Sequence, residues 1–180
     1  LLDGAVTFNG ALYYYDWRDF QAQIVTVRGG IPIQILSNAG DAEVKGLEAE
    51  VNWRASERFS GGLSVNFTDA SVKSGQLEGQ DLANTPKFAG TAFLRFTQPL
   101  AGGSRVFTQA DANYRTKVNF RMNTATGLGH QNAYGVGNVR VGWTTADDRT
   151  SLALAVQNVS DKRYLVDVFE QLPINIIDVW

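Results

Sequence analysis

Apolar and polar residues alternate with a period of two along most of this 180-residue sequence, in segments of about ten residues. Between Leu47 and Trp53, for example, Leu, Ala, Val and Trp take one set of positions, while Glu, Glu and Asn take the other. Successive side chains of a β-strand point to opposite faces, so each segment would have one apolar and one polar face. Helical periodicity is nearly absent. The sequence therefore predicts an all-β protein.

Clusters of Gly, Asn, Asp, Ser and Pro separate the alternating segments and mark the turns between them. A further apolar piece, 20–28, is expected to extend the first strand. About seven strands are predicted in all, over residues 4–15, 31–53, 59–70, 87–97, 105–117, 134–144 and 150–159.

Composition excludes several classes of protein. The net charge is −2, and no run of Lys and Arg is present that would follow a phosphate backbone, so nucleic acid is not an expected partner. The absence of cysteine excludes disulfides and thiolate metal sites. No apolar run reaches the roughly 18 residues of a membrane helix. The mean hydropathy of −0.16 is compatible with a membrane protein built from strands, because alternating residues cancel in the average.

Strands alternate in this way both in a soluble β-sandwich and in a membrane β-barrel. Aromatic residues at the ends of the apolar faces favour the barrel. The stretches Phe59 to Phe67 and Phe88 to Phe96 each span nine residues, close to the ~9 to 11 that cross a bilayer at a tilt. Such spacing is typical of the two aromatic girdles of a barrel.

The connections also favour the barrel, because short and long ones alternate along the chain as periplasmic turns and extracellular loops do. Interfacial aromatics lie beside the short connections at Trp53, Phe59, Phe96 and Trp143. The short connections are 54–58, 98–104 and 145–149, and the long ones lie near 16–37, 71–86, 118–133 and 160–180.

The pattern therefore predicts an antiparallel up-and-down meander of about seven to eight strands, a curved segment of a large transmembrane β-barrel with a hydrated lumen. A soluble β-sandwich module that binds a ligand such as carbohydrate is one alternative, and an outer-membrane enzyme or simple porin, which would share the barrel and differ in its contents, is another. The barrel and the sandwich differ in whether one set of apolar side chains faces outward or is buried between two sheets: Leu47, Val51, Leu63, Val65, Leu94 and Val141. The barrel also requires Glu48, Asn66, Arg95 and Arg140 on the opposite, concave side.

Four segments, taken in order, resemble the TonB-dependent receptors, which are outer-membrane receptors for siderophores and other nutrients. They are Ala-Leu-Tyr-Tyr-Tyr-Asp-Trp at 11–17, Asn-Ala-Gly-Asp-Ala-Glu-Val-Lys-Gly-Leu-Glu-Ala-Glu at 38–50, Leu-Ala-Asn-Thr-Pro-Lys at 82–87 and Val-Gln-Asn-Val-Ser-Asp-Lys-Arg-Tyr at 156–164. The resemblance covers essentially the whole chain. It implies that residues 1–180 are the C-terminal part of the barrel, with the plug, the earlier strands and the last strand absent. Asp178 breaks the alternation before Trp180, so this end is expected to be a loop or a truncated strand.

The resemblance also implies a function. The whole receptor would lie in the outer membrane of a Gram-negative bacterium, in contact with its lipid. It would bind a scarce nutrient such as a ferric siderophore and import it to the periplasm with energy from the TonB system, contacted through a TonB box and plug outside this chain. The identity of the nutrient does not follow from the sequence.

Three positions have expected structural roles. Gly46, inside a strand, marks either a close approach of the lumen contents or a bulge. Pro86 is expected at the start of a strand because it lacks a backbone donor. Asn158 and Asp161 together suit a turn held by side-chain hydrogen bonds.

No catalytic residue, metal site or cofactor is predicted, so the chain is not expected to be an enzyme. The only histidine, His130, falls in a predicted loop and is expected to be solvated. Glu48 and Glu50 share a face about 7 Å apart, but they are expected to pair with neighbouring Arg or Lys. The sequence assigns no ligand-binding residue. Ligand contacts are expected from the loops 18–35, 74–84, 121–131 and 166–178, together with the upper lumen. Aromatic residues in or next to these loops, such as Trp17, Phe120 and Phe169, either touch the ligand or pack the loops.

Overall fold

The computed structural model describes residues 5–29, 31–122, 129–171 and 175–179 of the chain. Most of these residues lie in strands, and the described part contains one short 3₁₀ turn at Ala101–Gly103. In chain order the strands are β1 (Val6–Trp17), β2 (Gln21–Arg28), β3 (Ile31–Asn38), β4 (Ala42–Arg54), β5 (Phe59–Val72), β6 (Phe88–Pro99), β7 (Arg105–Arg115), β8 (Val118–Asn119), β9 (His130–Gln131), β10 (Tyr134–Thr144), β11 (Ser151–Val156), β12 (Asp167–Gln171) and β13 (Asn175–Val179).

Seven strands form one antiparallel sheet in the order β1, β4, β5, β6, β7, β10 and β11. Three small two-stranded sheets lie outside it: β2 with β3, β8 with β9, and β12 with β13. When these are left out, each strand of the large sheet pairs with the strand that follows it in the chain. The outer strands β1 and β11 do not pair with each other, so the sheet is open. The predicted all-β up-and-down meander is confirmed. None of the described residues form a helix that is long and apolar enough to cross a membrane.

The two rims of the large sheet differ in their connections. At one, which we call the short-turn rim, consecutive strands are joined through 55–58, 100–104 and 145–150. At the other, the long-loop rim, strands are joined through 18–41, 73–87 and 116–133, and the chain from residue 157 onward also leaves from it. The predicted alternation of short and long connections is therefore present.

The first long connection differs from the prediction. The segment 31–53, predicted as one strand, is two strands that break at Gly40, where φ is 103°. The piece 20–28 continues the first strand as expected, but as a separate strand, because the chain bends at Asp19 with a φ of 52°. Beyond the bend β2 pairs with β3 in the register of the β1–β4 pair, with Gln21 opposite Asn38 as Trp17 is opposite Ala42. Asn38 holds this turn by donating to the Asp19 carboxylate at 2.7 Å and accepting from the Gly40 N–H at 2.7 Å. The prediction of one unbroken strand over 31–53 was wrong because the alternation of residues continues on either side of the break.

The apolar residues of the seven main strands lie in rows on one face of the sheet. In one row, Val51 lies opposite Leu63, which lies opposite Ala92. Of the six residues predicted to separate a barrel from a sandwich, none is buried: Leu47, Leu63, Leu94 and Val141 are exposed, and Val51 and Val65 are half-buried. No second sheet covers this apolar face in the part of the chain described, which does not agree with the β-sandwich alternative.

The opposite face is polar. Glu48 lies opposite Asn66 on this face, and further along the sheet Arg95 and Arg140 flank Gln109 in another row. The predicted division into an apolar and a polar face therefore holds across the sheet.

Most of the buried apolar residues lie at the long-loop rim and not within the strands between the rims. One cluster joins β2 to two long connections through Ala22, Ile24, Ala39, Val72, Leu77 and Met122. A second contains Ala42, Ala70 and Leu82, and a third contains Val118, Phe120 and Val168. The described loops are thus packed against one another, which is possible because they contribute their own apolar side chains.

Gly46 does not mark a bulge, which was one of the two roles that the sequence suggested. The strand register runs without a bulge from Tyr13 through Gly46 to Thr68. A Cβ at Gly46 would overlap the ring of Tyr13 and the carbonyl oxygen of Phe67. The glycine therefore makes room for an aromatic ring of the neighbouring strand.

Candidate ligand-binding surface

The polar face carries two carboxylates on β4 that were expected to pair with Arg or Lys. Instead, Glu48 accepts a hydrogen bond from the Asn66 amide at 2.9 Å, and Glu50 accepts one from Asn52. Among the described residues neither carboxylate forms an ion pair. The prediction of Arg or Lys partners was wrong, because the amides of Asn66 and Asn52 take the places next to the two carboxylates.

Three arginines of the polar face rest on aromatic rings. The guanidinium carbon of Arg95 lies 3.9 Å from the centroid of Phe107, and that of Arg140 lies 5.9 Å from the same ring. Arg115 lies 4.9 Å from the centroid of Tyr134. Cations over aromatic faces are stabilised by the ring quadrupole, so these side chains are held while their charges stay exposed to the space beside the sheet.

A pocket of about 550 Å³ opens on the polar face close to the long-loop rim, between β6, β7 and β10. Its size falls within the range of small-molecule sites. Arg115 is the single charged residue among those that line it. The residues that give the pocket its polar and aromatic character are Thr91, Asn113, Arg115, Tyr134, Gln157 and Tyr164.

The last of the four segments that resemble the receptor family builds one wall of this pocket. After β11 the chain folds back, with the Asn158 N–H donating to the Asn138 side chain at 2.9 Å and the Val159 N–H donating to the Gly137 carbonyl at 2.8 Å. The Asn158 amide then bonds both ways with the backbone of Lys162, at 3.0 and 2.9 Å. This turn, predicted from Asn158 and Asp161, has positive φ at both residues.

The fold-back brings Tyr164 onto Tyr134. The two rings stack with centroids 4.3 Å apart and an interplanar angle of 15°. Tyr134 is buried, with 7% of its surface exposed, because it lies between this ring and Arg115. The sequence did not predict the Arg115, Tyr134 and Tyr164 cluster, since its members come from three separate segments and no local pattern relates them.

The loops at the same rim pack over the polar side of the sheet. Leu82, in the connection after β5, packs against Ala42 and Ala70, which project from the polar face at the ends of β4 and β5. Trp17 ends β1 and stacks on Phe20, with ring centroids 5.7 Å apart. The rim is therefore partly covered from the polar side.

A second contact fixes the connection after β7 to the segment after β11. Arg121 donates two hydrogen bonds to the Asp167 carboxylate, at 2.9 and 3.0 Å. Phe120 beside it is 3% exposed and packs against Val168. Leu165 donates its N–H to the Gln131 side chain at 2.7 Å. These contacts hold in place the segment that carries Tyr164.

The aromatic residues proposed as ligand contacts therefore differ in their surroundings. Phe120 packs the loops, Trp17 stacks on Phe20 while 45% of its surface stays exposed, and the side chain of Phe169 lies outside the described residues. His130 is half-buried in β9, where it pairs with Asn119, so it is not the fully solvated loop residue expected. Within the described ranges no three His, Cys, Asp or Glu side chains are grouped to hold a metal ion.

A family model described as "TonB dependent receptor-like, beta-barrel" matches residues 1–159. The chain belongs to this family. In TonB-dependent receptor barrels, as in other membrane barrels, lipid-facing and lumen-facing residues alternate along each strand. The apolar face of the sheet is thus the outer surface of the barrel wall, and the polar face with its pocket lines the lumen.

Known proteins of the same kind are similar over most of the chain. The pesticin receptors of Yersinia enterocolitica and Yersinia pestis are 26% identical over 167 residues, which is 88% of this chain and 23% of theirs. The chain thus spans about a quarter of the length of these receptors.

Three solved receptor structures share the fold. The ferric yersiniabactin uptake receptor FyuA of Yersinia pestis superposes with a TM-score of 0.78 at 20% identity, covering 96% of this chain and 25% of that protein. The ferric-catecholate import receptor Fiu of E. coli gives a TM-score of 0.68 at 22% identity, covering 92% and 22%. The siderophore receptor PiuA of Acinetobacter baumannii gives 0.67 at 18% identity, covering 92% and 23%.

Proposed function

We propose that the chain is part of an outer-membrane receptor that binds a scarce nutrient, such as a ferric siderophore, and imports it to the periplasm with energy supplied through TonB. The single observation that carries the proposal is the exposed apolar face of a seven-stranded sheet whose other face is polar and bears the Arg115 pocket. A wall of this kind separates lipid from a hydrated passage. The chain would not act as an enzyme.

Membrane placement is supported by the exposed apolar side chains. Leu63, Leu94 and Val141 would each expose 44 to 48% of their surface to water if the sheet were soluble. Contiguous apolar patches of this kind are rare on soluble monomers, whereas they are required on the lipid side of a barrel. We therefore propose the outer membrane of a Gram-negative bacterium as the location, with the long-loop rim outside and the short-turn rim in the periplasm.

The choice of an iron chelate is supported by the relatives. Three receptors of similar structure carry names that refer to ferric yersiniabactin, ferric catecholates or siderophores. We propose that residues 1–180 form the C-terminal part of the barrel wall of such a receptor. The plug, the earlier strands, the last strand and the TonB-binding segment would lie outside these residues, and the TonB system would be contacted through that plug segment.

The proposal is tested by uptake of labelled iron in cells that carry the full-length receptor. Ferric siderophores of the catecholate, phenolate and hydroxamate classes would be supplied to an iron-starved strain with the receptor gene, to its deletion strain, and to a strain that lacks TonB. We expect at least one chelate to enter only when both the receptor and TonB are present. Uptake that is equal in all three strains for every chelate, with the receptor present in the outer membrane, would exclude siderophore import.

A further inference from the structure

We propose that three arginines of the polar face, Arg54, Arg95 and Arg140, bind carboxylate side chains of the plug. We call these three residues the arginine row. The inference rests on the proposed function, because the plug is part of that function and lies outside residues 1–180. It adds the chemistry of one contact between the plug and this part of the barrel wall.

The register of the sheet puts the three arginines at one level. Arg54 on β4 lies opposite Ser60, and Ser60 lies opposite Arg95 on β6. Arg95 lies opposite Gln109, and Gln109 lies opposite Arg140 on β10. Residues opposite each other in antiparallel strands point to the same face of the sheet. Because neighbouring strands are about 4.8 Å apart, the wall presents one arginine roughly every 10 Å, close to the short-turn rim.

No carboxylate of the described wall neutralises the arginine row. None of its members forms an ion pair within the described ranges of the chain. At the adjacent level, Asp111 accepts a hydrogen bond from the Asn138 amide at 2.6 Å, and nearer the rim Asp148 pairs with Arg105. Three like charges on one face make the potential of the space in front of them positive. The row therefore favours an anionic occupant.

Two of the three arginines are held in position by the wall. The guanidinium groups of Arg95 and Arg140 both lie over the ring of Phe107, which is 8% exposed. The ring fills the space above Gly142, where a Cβ would overlap it. A cation that is already positioned loses less conformational entropy when it binds. These two side chains are thus preorganised for a contact on the lumen side.

A hollow beside Arg54 gives room for a side chain of the occupant. It measures about 330 Å³, and Asn52, Ser60 and Phe93 are among the residues that line it. Arg54 is exposed, and its guanidinium has no hydrogen-bond or ion-pair partner in the part of the chain described. A carboxylate in this hollow could accept two parallel hydrogen bonds from the guanidinium.

The spacing of the row favours a polypeptide over a single small anion. The two outer arginines are four strand intervals apart, roughly 20 Å, so one carboxylate or phosphate group cannot reach both. Acidic side chains spread over a protein surface can meet all three at once. Residues 1–180 span about a quarter of the length of the pesticin receptors, and in a receptor of that length most of the chain lies outside them.

Crosslinking identifies the occupant. The full-length receptor in outer-membrane vesicles would carry the photoreactive residue p-benzoylphenylalanine in place of Gln109, between Arg95 and Arg140, and no cargo would be added. We expect crosslinks to plug peptides that contain Asp or Glu. The same photoreactive residue in place of Ala110, which points to the apolar face, is the control and should give no crosslink to the plug.

Variants of the row test its charge. Arg54→Gln, Arg95→Gln and Arg140→Gln together should raise hydrogen exchange in the crosslinked plug peptides roughly tenfold, because charge-assisted hydrogen bonds are lost. Lys at the same three positions keeps the charge and should retain part of the protection. Arg149→Gln is the matched control and should change nothing, since it removes the same charge at the short-turn rim from a side chain that is 86% exposed and outside the row.

A charge exchange tests the pairing directly. Arg140→Glu alone should remove protection from the crosslinked plug peptide, because two carboxylates would then face each other. Changing the acidic residue of that peptide to Arg in the same receptor should restore the protection. High salt should raise exchange in the wild-type plug peptide and have less effect in the triple Gln variant, since screening weakens only a charge contact that is present.

Three results would overturn the inference: crosslinks from Gln109 that reach no acidic plug peptide, plug exchange that the triple Gln variant leaves unchanged, or a triple Gln variant that weakens binding of an anionic chelate without affecting the plug. The crosslink is made with the arginines intact, so it decides the case even where the triple variant does not insert. Uptake in cells separates this failure from a failure of the proposed function. A receptor that imports a siderophore without the crosslink keeps its function and loses the row, and one that crosslinks without importing keeps the row and loses the function.

Discussion

The hydroxyl of Tyr13 on β1 lies 2.7 Å from the hydroxyl of Thr68 on β5, although β4 runs between the two strands. The ring reaches that far because Gly46, the β4 residue opposite both of them, has no side chain. Thr68 in turn donates to the Asn66 side chain at 2.5 Å. A glycine covered by a neighbouring aromatic ring is a recurrent way to fix the register of barrel strands.

Replacing Gly46 should destabilise the barrel wall. Gly46→Ala would push the Tyr13 ring out of its place, and we expect a loss of about 1 to 3 kcal/mol in the free energy of unfolding, as for other overpacked sites. Urea unfolding of the full-length receptor in lipid bilayers measures this loss. Gly135→Ala is the control, because a Cβ there meets its nearest neighbour at 3.4 Å. Equal effects of the two substitutions would contradict the role assigned to Tyr13.

Single cysteines should separate the two faces of the sheet. The sequence contains no cysteine, so each introduced thiol reports one position. Cysteine at Leu63 or Leu94 should react with a lipid-phase maleimide and resist a charged one. Cysteine at Ser64 or Thr91, on the polar face, should show the reverse. The same pattern at all four positions in outer-membrane vesicles would exclude a wall whose apolar face is turned toward lipid.

Shortening a buried side chain of the apolar cluster at the long-loop rim should destabilise the loops and leave the barrel folded. Leu77 is 1% exposed, and Leu77→Ala should cost about 2 to 5 kcal/mol of local stability, as for other buried leucines. Hydrogen exchange of the connection 73–87 should rise. Leu36→Ala removes the same atoms from a side chain that is 67% exposed, and it should have little effect. Faster exchange in β5 and β6 as well would show that the loops are not a separate unit.

The Arg121 and Asp167 pair should hold the segment after β11. Arg121→Lys cannot keep both hydrogen bonds to the carboxylate, and we expect faster proteolysis between residues 160 and 171. Asp167 is 48% exposed, so solvent limits the effect to roughly 1 kcal/mol or less. Arg149→Lys is the control, because Arg149 is 86% exposed and lies 3.8 Å from Asp147. Protease sensitivity unchanged by Arg121→Lys would argue against this contact.

Asp147, in a short turn outside the membrane-spanning strands, should respond to acid. The Thr145 hydroxyl donates to its carboxylate at 2.6 Å and the Arg149 N–H at 3.2 Å, and these bonds lower its pKa. The lowered pKa means that the carboxylate stabilises the turn above its unfolded pKa, and that this stabilisation is lost as the pH falls through the folded pKa. NMR titration of Thr145→Val should find the Asp147 pKa moved upward. An unchanged value would assign the shift to another cause.

The strands and their two faces were predictable because they depend on neighbours in sequence. Alternation placed Leu63 and Ser64 on opposite faces, and the strands β4 to β7 end close to the predicted limits. Breaks inside alternating stretches were not predictable in the same way. The break at Gly40 depends on Asn38 and Asp19, which meet across a turn.

The pocket was less predictable than the wall around it. Arg115 could be assigned to the polar face, and the turn at Asn158 could be predicted from its residues. The contacts of Tyr164 could not be predicted, because the fold-back that places it depends on a hydrogen bond from Asn158 to Asn138 on β10. The same holds for Phe120, whose burial depends on Val168.

The sequence by itself therefore determined the kind of secondary structure, the two faces of each strand and the rim to which each connection belongs, because side-chain direction along a strand is a local property. Only the tertiary structure decided which loops pack together and which cation, amides and rings meet in one pocket. Those contacts join segments that are distant in the chain, and their geometry depends on the strand register and on where each loop folds back.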